Sequence, residues 1–239
     1  MRNMVVAGLA VALLVSAAHA AFIVEPHSSG KAFANFSYLG PSGAPSYSTT
    51  KGTAPGLSAT HSAFGGSGAN EDRYTFRYTP GVDADNTVFS AGDPLGTHRL
   101  EPALNLIQEP QTATGLVGGV SGLYRVYITW PKSGNVNTAG STITITSDGA
   151  PIVLTPVSQN GDPAFSGTYT PVGEAGTNKW LCIGTVQLTA GVTYTVEQLA
   201  LSLTYVSQRS AGVMWELVPE PATALLLGFG GLFLRRRRA

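Results

Sequence analysis

Alternation of apolar and polar residues is the clearest pattern along this chain. Residues 73–78 place Tyr74, Phe76 and Tyr78 on one side of an extended backbone, with charged and hydroxyl side chains on the other. A period of two residues predicts a β-strand with one buried face. A Thr-Pro-Gly turn follows directly and ends this predicted strand.

The most regular pattern of this kind covers residues 123–130. Its apolar face holds Tyr124, Val126, Ile128 and Trp130, and its other face holds Arg125, Tyr127 and Thr129. Pro131 ends the strand, because proline cannot donate a backbone hydrogen bond to a sheet. We therefore predict that Trp130 lies in the core and that Tyr127 lies on the polar face.

The same reasoning predicts the remaining strands. An Asp-Gly turn between alternating runs at residues 142–147 and 152–157 predicts a β-hairpin. Residues 180–188 predict one more strand, and residues 192–198 another in which Val192, Tyr194 and Val196 face inward. Weaker patterns predict strands at residues 34–39, 97–108, 199–206 and 213–217, and loops in the rest of residues 22–60.

These patterns give about ten to twelve strands and no helix in the body of the chain. The fold class is therefore predicted to be mainly β, with a single β-sandwich or jelly-roll-like domain over residues 21–217. The 29 glycines and 15 prolines agree with short strands that are joined by many turns.

The formal net charge of zero hides a difference between the ends and the body of the chain. Residues 21–218 contain nine Lys and Arg against 13 Asp and Glu, which gives this part a net charge of −4. Nucleic-acid binding depends on basic patches, so we do not expect a nucleic-acid partner. The single cysteine, Cys182, lies in an apolar run and is interpreted as a small buried residue.

The amino-terminal residues are typical of a secretory leader. Residues 1–20 begin with Arg2, continue through an apolar segment and end with Ala18-His19-Ala20. Small residues at the first and third of these positions predict a Sec signal peptide that is cleaved before Ala21. The Sec translocon and signal peptidase are therefore expected partners.

The carboxyl-terminal residues predict a short transmembrane helix. Residues 222–234 are predominantly apolar and precede four arginines: Arg235, Arg236, Arg237 and Arg238. A helix of this length covers about 20 Å, whereas the core of a bilayer is about 30 Å thick. The segment is therefore better suited to a removable sorting signal than to a permanent anchor, with its arginines on the cytoplasmic side.

The tripeptide Pro219-Glu220-Pro221, the glycine-containing apolar run and the terminal arginines follow one another in a distinctive order. In this order they resemble the PEP-CTERM sorting signal of Gram-negative bacteria, over residues 218–239. The resemblance implies that an exosortase, a transpeptidase-like membrane enzyme, recognises Pro219, Glu220 and Pro221. It implies a stop-transfer role for the four arginines. An ordinary tail anchor is the alternative.

A second set of features lies within residues 120–200. It comprises Tyr-Arg-Val-Tyr at residues 124–127, Trp130-Pro131, Trp180 followed by Gly184, and Gly-Val-Thr-Tyr-Thr-Val at residues 191–196. These features resemble the golvesin/xanthan-lyase-like carbohydrate-binding-type domain. The resemblance implies a jelly-roll module that accompanies extracellular polysaccharides or cell-surface proteins, without catalytic residues.

Two small sets of residues are candidates for binding. Sugars stack on exposed aromatic rings, so Tyr127 and Trp180 are candidate glycan-binding residues, with a place in the core as the alternative for each. Asp83 and Asp85 alternate in a polar loop and could contribute to a Ca²⁺ site, although an Asx-rich turn is the simpler interpretation. No other cofactor is expected.

Catalysis has little support in the sequence. His27, His61 and His98 are isolated along the chain and do not have the spacing of metal ligands. We expect an exported, non-catalytic protein of the cell surface or extracellular matrix. It would be held in the inner membrane by its tail before release, and it would bind extracellular polysaccharide. The alternatives are a secreted polysaccharide hydrolase or lyase, and a purely structural surface or biofilm component.

Overall fold

The computed structural model describes residues 19–58, 61–65, 72–89, 99–100, 119–131, 141–157, 159, 180–200 and 208–218. Their regular structure consists of fourteen strands and a 3-10 turn at Phe33–Asn35. The strands are β1 His19–Val24, β2 Phe36–Leu39, β3 Ser46–Lys51, β4 His61–Gly65, β5 Asp72–Tyr78, β6 Thr87–Phe89, β7 Arg99–Leu100, β8 Gly122–Thr129, β9 Ser141–Ile145, β10 Ile152–Val157, β11 Trp180–Leu188, β12 Tyr194–Ala200, β13 Gln208–Ser210 and β14 Gly212–Leu217. The prediction of a mainly β chain is confirmed.

The described strands form three sheets. The first sheet has the order β6-β1-β14-β8-β11-β7, and the second has the order β10-β9-β12-β5-β2. The third sheet has the order β13-β4-β3. Neighbouring strands are antiparallel in all three sheets, except that β7 runs parallel to β11.

The first and second sheets pack face to face through one apolar cluster, which gives a β-sandwich-like body. Phe22 and Trp215 enter this cluster from the first sheet, and Tyr78 enters it from the second. The ring centroids of Phe22 and Tyr78 are 5.0 Å apart, and those of Tyr78 and Trp215 are 5.5 Å apart. Aromatic pairs at these separations add stability beyond the area that they bury.

A second apolar cluster covers the other face of the first sheet. It contains Ile23, Tyr127, Trp180 and Met214, among others, and the segment of residues 52–58 lies over it. This segment is held by the carboxylate of Glu25, whose Oε1 accepts a hydrogen bond of 2.6 Å from the backbone N–H of Ser58. The first sheet is therefore buried on both faces around this cluster.

A bulge in β11 decides which of its residues face each cluster. The register with β8 shifts between Cys182 and Gly184. Leu181 enters the cluster between the sheets before the shift, Ile183 enters it at the shift, and Val186 and Leu188 enter it afterwards. Cys182 points the other way, into the second cluster, and is buried as the sequence predicts.

Several predicted strands agree with the structure. The alternation in β5 is confirmed, since Tyr74, Phe76 and Tyr78 are fully buried. The predicted hairpin is confirmed as the antiparallel pair of β9 and β10. Strands β8, β11 and β14 match the predictions at residues 123–130, 180–188 and 213–217 within two residues.

Other predictions need correction. Val192 is 45% exposed because it belongs to the turn before β12, so the prediction that it faces inward is wrong. Residues 199–200 do not begin a separate strand; they are the last two of β12. The sequence predicts loops in most of residues 22–60, but part of this region forms β1 and β3. Most of the prediction at residues 97–108 lies outside the described residues, which include β7 alone from that range.

The features at residues 120–200 do not form a separate unit. Strand β8 pairs with β14, and β12 pairs with β5. Strands from outside this range therefore complete both of the large sheets.

The first and last strands reach the borders of the predicted leader and of the predicted sorting signal. Strand β1 includes the last two residues of the predicted leader, His19 and Ala20, which pair with Phe89 and Val88 in β6. Strand β14 ends at Leu217, and the N–H of Val218 donates a 2.7 Å hydrogen bond to the carbonyl of Leu123. Among the described residues, no helix is long and apolar enough to cross a bilayer.

Candidate functional site

The two aromatic residues predicted to bind glycan lie in the core. Tyr127 and Trp180 are both fully buried in the cluster beneath residues 52–58. The Tyr127 hydroxyl donates a 3.0 Å hydrogen bond to Glu216, and the Trp180 Nε1–H donates one of 2.8 Å to the Pro55 carbonyl. Both rings are covered in this cluster, so the prediction that they are exposed for stacking is wrong.

The candidate calcium ligands lie in the turn that follows β5. The Asp83 carboxylate accepts hydrogen bonds from the backbone N–H of Thr79, at 2.7 Å, and from the side chain of Asn35, at 3.0 Å. These contacts are those of an Asx-type cap on a turn. No group of three or more His, Cys, Asp or Glu residues suited to a metal ion occurs in the described part of the chain. Calcium binding by Asp83 and Asp85 stays a prediction.

The sorting-signal residues lie outside the described residues. They are Pro219, Glu220, Pro221, Arg235, Arg236, Arg237 and Arg238. Most of the predicted leader, residues 1–18, also lies outside them.

A group of three rings that the sequence did not reveal lies beside the third sheet. His27, Tyr47 and His61 form this ring group. The centroids of His27 and Tyr47 are 4.9 Å apart in a T-shaped pair, and those of His27 and His61 are 4.8 Å apart in a tilted one. Tyr47 is 38% exposed and both histidines are half-buried. Unlike Tyr127 and Trp180, these rings are open to a ligand.

The backbone holds each ring of the group in place. His27 lies in a turn after β1, where its carbonyl accepts a 2.7 Å hydrogen bond from the N–H of Gly30. Its Nδ1 accepts a 3.2 Å hydrogen bond from the N–H of Ser29, which assigns the proton of the neutral ring to Nε2. Tyr47 and His61 stand on the neighbouring strands β3 and β4.

A set of tyrosine hydroxyls continues the polar surface next to the ring group. The Tyr38 hydroxyl donates a hydrogen bond to Asp72 and lies 3.0 Å from the hydroxyl of Ser42. Tyr74 is buried, and its hydroxyl has no hydrogen-bond partner among the residues that the structure describes. The Tyr74 hydroxyl and the Asp72 carboxylate both lie close to the backbone of Gly65 in β4. Glycine permits these contacts, because a Cβ at that position would collide with both groups.

The electrostatics of these tyrosines favour donation of hydrogen bonds over proton abstraction. Burial raises the pKa of Tyr38 and Tyr47, and it raises the pKa of Tyr74 well above its ordinary value. The negative charge of Asp72 adds to the effect on Tyr38 and Tyr74. A general base works best with a pKa near the operating pH, so hydroxyls that stay protonated are better suited to binding.

The third sheet also differs in charge from the acidic body. Its three strands contain Lys51 and Arg209 and no Asp or Glu. Half-exposed rings beside protonated hydroxyl groups suit a ligand that has flat apolar faces and hydroxyl groups.

Sequence reasoning missed the ring group for a physical reason. His27 and His61 are 34 positions apart, and Tyr47 lies between them in a region rich in Ser, Gly and Pro. The pairing of β3 with β4 and the turn after β1 bring the three rings together. No local spacing reports these long-range contacts, although the lone aromatic residue in a polar strand was a usable signal.

Comparison with known proteins yields one distant structural likeness. No known family matches the chain, and no curated protein matches it either. A solved structure, the xanthan lyase of Paenibacillus, is similar to this chain with 15% sequence identity and a TM-score of 0.47. The alignment covers 84% of this chain and 13% of the lyase, so the chain spans a small part of that protein.

We predict a loss of stability in alkaline solution. Unfolded tyrosines ionise near pH 10, whereas the folded protein holds Tyr38, Tyr47 and Tyr74 at higher pKa values. Their contribution is complete below the unfolded pKa and is lost as the pH rises through the folded values. Urea unfolding between about pH 9 and 11 should show the decline. Tyr74→Phe should make the decline shallower, and an unfolding free energy independent of pH in this range would contradict the prediction.

Proposed function

We propose that this chain is an exported protein of the cell surface or extracellular matrix whose β body binds polysaccharide without cleaving it. In this proposal the amino-terminal leader directs export through the Sec translocon, and an exosortase processes the carboxyl-terminal signal. The observation that carries the binding role is the ring group, which combines half-exposed rings with neighbouring hydroxyl groups.

The ring group offers the two kinds of contact that a sugar needs. The apolar faces of sugar rings stack on aromatic side chains, and their hydroxyls exchange hydrogen bonds with polar groups at the rim. Tyr47 supplies the most exposed ring of the group. Tyr38 and Ser42 supply polar groups on the adjoining surface, and the buried Asp72 accepts a hydrogen bond from the Tyr38 hydroxyl.

The position of the tail supports the sorting role. Strand β14 ends at Leu217, one residue before the resemblance begins at residue 218. The proposed signal therefore follows the last strand directly, and cleavage beyond that strand leaves every described strand whole. At the other end, cleavage before Ala21 preserves the four pairs between β1 and β14, from Ala21 with Glu216 to Val24 with Val213.

Binding can be tested by affinity electrophoresis of the processed protein in gels that contain single polysaccharides. We expect retardation by at least one polymer, and Tyr47→Ala should weaken it by about tenfold, which corresponds to about 1.4 kcal/mol. Phe33→Ala is the matched control, since Phe33 is 36% exposed and contacts Phe36 instead of the ring group. Thermal melting of both variants should show that they are folded.

The outcomes separate the proposal from its alternatives. Equal losses in Tyr47→Ala and Phe33→Ala would contradict a role of the ring group. No retardation by any polymer would favour a purely structural surface component. Release of reducing sugar or of an unsaturated product from a bound polymer would favour the hydrolase or lyase.

Sorting can be tested by intact mass in a Gram-negative host with and without its exosortase. We expect the protein from the exosortase-positive strain to lack Arg235 to Arg238, and the protein from the deletion strain to retain them. Glu220→Ala should also retain them in the positive strain, because the proposed recognition tripeptide is altered. A mass that includes the four arginines in both strains would overturn the proposed processing.

A further inference from the structure

One of the two cationic residues of the third sheet, Arg209, has an unusual environment. Arg209 lies at the centre of β13, opposite Phe64 in β4, and its guanidinium carbon lies 5.6 Å from the centre of the Phe64 ring. The backbone N–H and carbonyl of Arg209 are both bound by the side-chain amide of Gln159, at 2.6 Å each. The Gln159 amide thus makes the two backbone hydrogen bonds with Arg209 that a neighbouring strand would make.

The side chain of Arg209 lacks the partners that such a position requires. Its Nε and Nη1 atoms are buried and have no hydrogen-bond partner in the described part of the chain. Desolvation of a charged group is costly unless an opposite charge or hydrogen bonds compensate for it. Unpaired buried polar groups are rare in proteins, and on a charged side chain they point to a missing ligand.

The surroundings favour an anion as that ligand. The three strands of the third sheet contain no Asp or Glu, so none of their side chains can form an ion pair with the Arg209 guanidinium. The net charge of the body is negative, but at physiological ionic strength exposed charges further away than about 8 Å are largely screened. Guanidinium groups bind carboxylates and other oxyanions through charge-assisted hydrogen bonds, which are stronger than neutral ones.

We propose that Arg209 is the anchor of an anionic subsite, and that the polysaccharide bound by this protein carries carboxylate groups. The inference rests on the proposed polysaccharide-binding function and adds the class of polymer. Successive residues of a strand point to opposite faces. Because Tyr47 pairs with Ala63 whereas Phe64 pairs with Arg209, the ring group and Arg209 lie on opposite faces of the third sheet. They are therefore two subsites, the first for sugar rings and the second for the acidic group.

The test compares polygalacturonate with its fully methyl-esterified form, which has the same backbone without the charge. Binding of each polymer to the processed protein is measured by isothermal titration calorimetry. We expect the native protein to prefer the acidic form by about tenfold. Arg209→Gln should bind both forms equally, at the affinity that the native protein shows for the ester.

Arg73→Gln is the matched control. Arg73 already has a carboxylate partner, since its Nε lies 3.6 Å from Glu197, and its side chain is 41% exposed. We expect this variant to keep the preference of the native protein for the acidic polymer. Loss of the preference in Arg73→Gln as well as in Arg209→Gln would indicate a general charge effect and overturn the subsite.

The melting temperature of the ligand-free variants supplies a second readout. Because the buried Nε and Nη1 atoms of Arg209 have no hydrogen-bond partner among the described residues, replacement of Arg209 by Gln should leave the melting temperature unchanged or raise it. A marked fall would show that the guanidinium already has a partner within the chain, and the proposal would be wrong. Saturation of the site by sodium acetate at the same carboxylate concentration would overturn the assignment to a polysaccharide.

The remaining outcomes distinguish this inference from the proposed function. Equal binding of both polymers by the native protein, with loss of binding in Tyr47→Ala, would overturn the acidic preference and leave the polysaccharide-binding function intact. Failure of the native protein to bind any polymer in the gel panel or in the calorimeter would overturn both.

Discussion

Burial of the first sheet on both faces, around Tyr127 and Trp180, is the constraint on which the rest of the structure depends. One face packs on the second sheet through Phe22, Tyr78 and Trp215, and the other is covered by the segment of residues 52–58. Large aromatic side chains on either face of this sheet are therefore drawn into a core, which accounts for the burial of Tyr127 and Trp180. The half-exposed rings of the ring group stand instead at the third sheet and in the turn after β1.

The sequence predicted those strands whose surroundings are simple. Strand β5 and the hairpin of β9 and β10 have one core face and one half-exposed face, so their side chains alternate with a period of two. The Asp-Gly turn and the Thr-Pro-Gly turn marked where these strands end. In such strands the local pattern contains the information that fixes the fold, and it predicted a mainly β chain with a core between sheets.

The sequence failed where burial depends on distant segments. Tyr127 follows Arg125 on the second face of β8, and nothing near it in the chain reveals that residues 52–58 cover that face. The bulge in β11 reverses the alternation between Ile183 and Val186, which a fixed period of two cannot anticipate. The proximity of His27 and His61 likewise arises from strand pairing and a turn, and no spacing rule contains it.

The proposed function depends on one claim, which is that the ring group is the surface that meets the polysaccharide. Heteronuclear NMR of the aromatic rings during titration with oligosaccharides of a bound polymer tests it most directly. The proposal predicts that the signals of His27, Tyr47 and His61 shift progressively, while the indole N–H signal of the buried Trp180 stays in place. Shifts that begin at Trp180 or Tyr127 and spare the ring group would contradict it.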